Sequence, residues 1–271
     1  MNKGLVKQKL TRVVATVVGV AAVIAISGCS TEDPDLAEST PLATGVSGEL
    51  TIFAAASLTA SFDELAEAFT AENPKVTVHP IVYDGSSTLA TQLIEGASAD
   101  VFAAANESTM ADVAGAGELS GDSSIFVTNT LQIAIAPDNP EKITGLTDLT
   151  RDGLLVVLCA PEVPCGAASQ ELLDLDGIPL TPASEEQNVK GVLTKVGAGE
   201  ADAGLVYKTD VSAAAGAVDG VDIEGAERAI NNYTIGVAAS AENPEAAQAF
   251  VDFVLSDAGQ KLLGSFGFGS P

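Results

Sequence analysis

The chain has 271 residues, 46% of them hydrophobic, and a formal net charge of −25 at pH 7. That length accommodates one or two domains around a sizeable core. The acidity excludes nucleic acid as a partner and a broad electrostatic grip on anionic lipid.

Residues 1–28 read as a secretory leader. Lys3, Lys7, Lys9 and Arg12 form a cationic head, residues 13–26 are apolar, and Ser27-Gly28-Cys29 follow. The apolar run is shorter than the roughly 20 residues that a spanning helix needs. Ile26-Ser27-Gly28-Cys29 resembles the lipobox of bacterial lipoproteins, which implies cleavage before Cys29 and acylation of its side chain. The alternative is an ordinary cleaved signal followed by a chance cysteine. Two or more acyl chains would hold the chain on the outer face of the cell membrane. Cleavage removes four cationic and no acidic residues, which lowers the formal charge from −25 by four, to −29. Residues 29–48 are polar, acidic and dotted with Pro, Ser and Thr, so they read as a flexible tether of roughly 25 Å reach. No later hydrophobic run is long enough to cross a membrane.

From residue 49 onward, short apolar runs alternate with amphipathic patterns, which predicts an α/β fold. A strand over 50–55 precedes a helix with Leu58, Phe62, Leu65, Ala66 and Phe69 on one face, stopped by Asn73-Pro74. A strand over 76–82, a helix carrying Leu89, Leu93 and Ile94, a strand over 100–104 and a helix from 106 towards 114 follow. Further on, the pattern predicts strands over 131–136 and 154–158, with a short helix over 144–149 between them. Helices over 166–175 and 188–196, strands over 203–207 and 233–238, and closing helices from 244 to about 264 complete the chain. About 220 folded residues suit two lobes, 49–127 with 233–271 and 128–232. The crossings are expected near 126–129 and 231–234.

Two junctions have the same build, an apolar strand running into a hydroxyl-bearing turn that opens a helix. One holds Ser57, the other Ser86 and Ser87. Helix N-termini present unpaired N–H groups and the positive end of the macrodipole, so two such junctions aimed at one point would make an anion site. The plainer reading is that each serine caps its own helix. Cys159 and Cys165, six positions apart, are left as a pair once Cys29 is acylated. A disulfide is favoured in an oxidising compartment, with two free thiols as the alternative. The single histidine, His79, reads as a strand residue. No Gly-x-Ser-x-Gly elbow, zinc spacing or nucleotide loop is present, so no enzyme activity and no catalytic residue is expected. The absence of Trp and 4% aromatic content weigh against a sugar receptor, and no cluster of Tyr and His suggests a ferric-ion binder.

Phe53-Ala54-Ala55-Ala56-Ser57-Leu58-Thr59, the run 85–97 beginning Gly85-Ser86-Ser87-Thr88, and 99–106 ending Ala105-Asn106 are similar to the molybdate-binding proteins of bacterial ABC transporters. Pro161-Glu162-Val163-Pro164-Cys165-Gly166, Asn188-Val189, Gly204-Leu205-Val206-Tyr207, 256–260 and 266–268 continue the resemblance in order and spacing, over essentially all of 49–268. It implies a two-lobed type II periplasmic-binding-protein fold, each lobe a mostly parallel sheet flanked by helices, with two crossing hinge segments. It also implies an extracytoplasmic, monomeric receptor for molybdate and tungstate, which delivers its cargo to an ABC permease and its ATPase without any cofactor or protein-ligated metal cation. Carried over position by position, the ligand-binding groups fall on the hydroxyls of Ser57, Ser86 and Tyr207 and the backbone N–H groups of Cys165 and Val189. Strand-end packing is the other reading of Tyr207, and Tyr83 is taken as structural. Asp84 departs from the pattern. A carboxylate facing the pocket would repel a dianion, so Asp84 is expected to face solvent. Turned inward, it would favour hydrogen phosphate, whose proton it could accept. Another oxyanion, whether tungstate alone, sulfate or phosphate, is the alternative ligand on the same fold.

Overall fold

The computed structural model describes residues 45–214 and 216–271, so the leader over 1–28, Cys29 and most of the expected tether lie outside the described residues. β1 (Gly48–Leu50) runs into β2 (Ile52–Ala55), a 3-10 turn over Ala56–Leu58 and α1 (Thr59–Glu72). Next come β3 (Val76–Val78), β4 (Val82–Asp84), α2 (Ser86–Ile94), β5 (Val101–Ala104), α3 (Glu107–Gly115) and β6 (Ser124–Asn129). β7 (Leu131–Ile135), a 3-10 turn over Leu146–Thr150, β8 (Val156–Cys159), α4 (Pro164–Leu175), β9 (Ser184–Glu186) and α5 (Val189–Gly197) follow. β10 (Ala203–Tyr207), α6 (Lys208–Ala213), β11 (Asp219–Asp222) and a 3-10 turn over Ala226–Ala229 lead to β12 (Asn231–Val237), α7 (Pro244–Leu255) and α8 (Asp257–Ser265).

The local causes are ordinary. α1 buries Phe62, Leu65 and Phe69, spaced three and four apart, and gives way at Asn73, before Pro74. α7 starts with Pro244 at its first turn, where the missing N–H costs nothing, and buries Ala246, Ala247, Phe250, Val251 and Val254. Phe250 packs edge-on against Phe69 and Phe62, at ring separations of 5.3 and 6.1 Å. Asp100, 4% exposed, ties these parts together. Its carboxylate accepts from Thr51 N–H at 2.8 Å, Glu242 N–H at 2.8 Å and Asn243 N–H at 3.1 Å.

Two five-stranded sheets carry the fold, in the orders β4-β2-β5-β12-β6 and β11-β7-β10-β8-β9. In the first, β2 pairs parallel with β4 and β5, while β12 runs antiparallel to β5 and β6. In the second, β8 pairs parallel with β9 and β10, while β7 runs antiparallel to β10 and β11. Each sheet therefore has one reversed strand, and in each it is the strand that follows a passage from the other sheet. The two halves share one topology, a similarity with no trace in the residue pattern. The shared topology matches β2 to β8, β4 to β9 and β5 to β10.

Several segments differ from expectation. The run 76–82 is two strands, broken at His79-Pro80-Ile81, where Pro80 has no N–H to donate to a ladder. Residues 126–129 are the end of β6, and the chain passes to the second sheet at Thr130, beside Asn129, which pairs with Asn231. β9 and β11 are short, acidic edge strands that no hydrophobic alternation announces. No helix among the described residues is long and apolar enough to cross a membrane.

Candidate functional site

Neither serine caps a helix. Ser57 sits inside the 3-10 turn after β2, and its Oγ lies 2.8 Å from the Tyr233 hydroxyl. Ser86 is the first residue of α2, and its Oγ accepts the Ala105 N–H at 2.9 Å. With a donor already on its oxygen, the Ser86 proton is free to be given to something else. Both side chains are buried, at 8% and 1% exposure.

The facing half supplies backbone donors. Pro164 opens α4, and Cys165 is its second residue, so the Cys165 N–H has no acceptor within the helix. Cys159 and Cys165 are disulfide-bonded, with Cα atoms 5.7 Å apart, which ties the end of β8 to the first turn of α4. Any side chain at Gly166 would strike the Ala160 carbonyl, so this turn tolerates only glycine there. Val189 is the first residue of α5. Asn188 caps that helix, its Oδ1 accepting from Gly191 N–H at 3.0 Å, which leaves the Val189 N–H unclaimed by the cap. Tyr207 closes β10.

Ser57, Ser86, Cys165, Val189 and Tyr207 all line one cavity of about 220 Å3 of empty space. They lie at the carboxyl ends of β2, β4, β8, β9 and β10, the edge at which open α/β sheets present ligands. By strand order, Ser57 and Cys165 hold equivalent places in the two halves, as do Ser86 and Val189. The halves touch over the mouth. Ser87 Oγ donates to the Glu162 carbonyl at 2.7 Å, and a side chain at Gly85 would collide with the Gln187 carbonyl.

The expectation that Asp84 faces solvent is wrong. Asp84 lines the cavity, half-buried. Its Oδ1 accepts from Gly85 N–H at 2.7 Å and from the Asn188 side-chain amide at 2.8 Å, a contact that joins the two halves. The physical reason is the positive end of α5, capped by Asn188, which draws the carboxylate inward. His79 and Tyr83 lie outside this cavity. His79 sits 3.2 Å from Glu49, and the Tyr83 hydroxyl donates to Asp63 Oδ1 at 2.8 Å.

Tyr207 is 1% exposed, and its hydroxyl has no hydrogen-bond partner within the protein. Burial, then the neighbouring Tyr233 and Asp210, push its pKa well above the usual tyrosine value. Tyr233 is raised too, by burial first and then by the Asp210 charge. Both hydroxyls therefore keep their protons at neutral pH. Their rings meet edge-on at 5.7 Å, and the Tyr207 hydroxyl makes no hydrogen bond to that of Tyr233. Burial also raises the Asp210 carboxyl, against the pull of Lys190, whose Nζ lies 2.9 Å from Oδ1. That ammonium approaches off the hydrogen-bonding direction, so the pair is an ion pair without an aligned bond. Tyr233, Asp210 and Lys190 were not anticipated from the sequence, because each earns its place through a partner far along the chain. Among the described residues, no group of His, Cys, Asp and Glu could hold a metal ion.

A two-lobed α/β scaffold with converging neutral donors at its strand ends is the build of a type II solute-binding protein. The model of the bacterial extracellular solute-binding protein family matches residues 50–269, and the chain belongs to that family. The chain is thus an extracytoplasmic binding protein and not an enzyme. It is 46% identical over 222 residues to the molybdate-binding protein ModA of Mycobacterium tuberculosis, covering 82% of this chain and 85% of the relative. It is 30% identical to the molybdate-binding protein ModA of Escherichia coli, over 82% of this chain and 89% of that one. The periplasmic molybdate-binding protein of Azotobacter vinelandii superposes with a TM-score of 0.68 at 18% identity, covering 82% of this chain and 99% of that one, and so speaks to the fold.

Proposed function

We propose that this protein captures molybdate, and the nearly isosteric tungstate, between its two lobes and hands it to an ABC permease driven by a cytoplasmic ATPase. The observation that carries the reading is the meeting in one small cavity of five positions that the family resemblance singles out. The molybdate-binding names of relatives at 46% and 30% identity support it. A dianion entering this cavity loses its water and needs every oxygen satisfied. Hydroxyls of Ser57, Ser86 and Tyr207 and the N–H groups of Cys165 and Val189 supply that, each bond to a charged acceptor being worth about 1.5–3 kcal/mol. Fixed dipoles do this without a positive side chain in the cavity wall, which leaves the guest free to depart. The anion is cargo, and no cofactor takes part. Because both lobes contribute donors, the ligand favours the closed arrangement by differential affinity, with 49–127 and 233–271 closing on 128–232. Acylated Cys29 and the tether over 29–48 would hold this monomeric receptor near its permease.

Asp84 in the cavity wall favours one second reading, hydrogen phosphate, whose proton the carboxylate could accept. A thermal-shift panel of molybdate, tungstate, sulfate, phosphate and chromate on the purified protein separates the two. Stabilisation by molybdate and tungstate at micromolar concentration is expected. Stabilisation by phosphate or sulfate alone would overturn the molybdate reading and leave the fold untouched.

A further inference from the structure

We propose that Tyr233 is a positioning residue for the anion site, donating its proton to Ser57 Oγ and so turning the Ser57 proton into the cleft. The inference rests on the reading of Ser57 as a ligand donor. It is carried by the direction of a buried hydrogen-bond chain that runs beside the crossing between the lobes.

Tyr233 stands on β12, fully buried, with Phe126, Tyr207 and Phe268 edge-on around its ring at 6.3, 5.7 and 5.6 Å. Such packing leaves the ring no freedom, so the hydroxyl is held where it is. Its oxygen is 2.8 Å from Ser57 Oγ, across 176 residues of sequence. Distance alone does not say which oxygen gives the proton. Asn129 bears on the choice. The Thr130 backbone N–H, which can only donate, points at Asn129 Oδ1 at 3.0 Å. That fixes the orientation of the amide, so Nδ2 faces Thr209 Oγ1 at 2.8 Å and, in a longer contact, the Tyr233 hydroxyl at 3.5 Å. An N–H offered to the tyrosine oxygen occupies one of its acceptor positions, and in the proposed direction the Tyr233 proton goes to Ser57. Ser57 Oγ then accepts, and its proton is available to an anion in the cavity.

Ser86 reaches the same condition by another route, since the Ala105 N–H occupies its oxygen. Both serines are thus held as donors, each by a group behind it. A serine without such a partner spends its proton on a neighbouring carbonyl, as Ser61 does on Leu58 and Ser169 on Cys165. Asn129 is the last residue of β6, and Thr209 lies two residues past Tyr207. The chain therefore registers Ser57, in one lobe, against the strand end that carries Tyr207 in the other.

The test is a double-mutant cycle on the full chain, with molybdate affinity by calorimetry and unliganded stability by thermal melt. Ser57→Ala is expected to weaken molybdate about ten- to a hundredfold, and Tyr233→Phe about three- to tenfold. In the Ser57→Ala background, Tyr233→Phe should change affinity less than twofold, because it acts through the hydroxyl already removed. Asn129→Ala, which leaves the tyrosine ring in place, should give the same pattern should the phenylalanine variant fold poorly. Unchanged or tighter binding by Tyr233→Phe would mean that Ser57 is the donor in this pair and would overturn the proposal. An equal loss in both backgrounds would also overturn it, since that is what a packing defect does. Full affinity in Ser57→Ala is a different failure, which removes Ser57 from the site and the proposal with it.

Discussion

Replacing Ser86 by alanine separates a ligand donor from a structural hydroxyl, because the structure assigns the side chain two bonds of different kinds. Its oxygen holds the buried Ala105 N–H at 2.9 Å, and its proton is unspent in the cavity. Loss of the proton costs one bond to a charged acceptor, about 1.5–3 kcal/mol, which is a ten- to roughly hundredfold weaker dissociation constant for molybdate. Loss of the oxygen strands the Ala105 N–H, about 1 kcal/mol where cleft water relieves part of the penalty. For a domain of this size that lowers the melting temperature by about 2–4 °C without ligand. Calorimetric titration reads the first effect, and scanning calorimetry of the unliganded protein reads the second. A variant that melts lower but binds molybdate within twofold of the parent would show that Ser86 only fastens α2 to β5, and the anion site as drawn would lose one of its two first-lobe donors.

Asp84→Asn keeps an oxygen for Gly85 N–H and the Asn188 amide while removing a negative charge from the cavity wall. Molybdate affinity at low salt should rise several-fold, and weaker binding would contradict the view that the carboxylate opposes the dianion. Removing the disulfide with Cys159→Ser and Cys165→Ser reopens a short ring, worth about 2 kcal/mol by loop closure, so a drop of about 4–8 °C is expected in the thermal melt. An unchanged melt would show that α4 holds its first turn without the bridge. Because burial raises the Tyr207 and Tyr233 pKa values, both hydroxyls stay protonated at pH 9.5, where an ordinary tyrosine is about a quarter ionised. Molybdate affinity should therefore be flat from pH 7 to 9.5. A loss setting in above pH 9 and tracking an apparent pKa of about 10 would place an ordinary tyrosine in the site.

Much of this was legible in one dimension. The spacing of Phe62, Leu65 and Phe69 announced α1, Asn188 announced the start of α5, and the strand-turn-helix build announced both serine junctions. Those signals are local, written within a few turns of backbone. β6, β9 and β11 were missed for the opposite reason. β9 and β11 are short and acidic, β6 is a six-residue edge strand, and all three exist because a distant partner completes their hydrogen bonds, which no periodicity in the strand itself records. The two-way reading of Ser57 was likewise insoluble from sequence, since capping and donation use the same residue at the same place.

The residues of this chain settle, by local chemistry, where helices begin and where hydroxyls and free N–H groups stand at strand ends. Only the folded chain decides which way those hydroxyls point. Tyr233 meets Ser57 across 176 positions because β2 and β12 flank β5 in one sheet, and Asn188 meets Asp84 across 104 because the two halves close on each other. A proton's direction depends on what lies behind its oxygen, and what lies behind is chosen by tertiary packing.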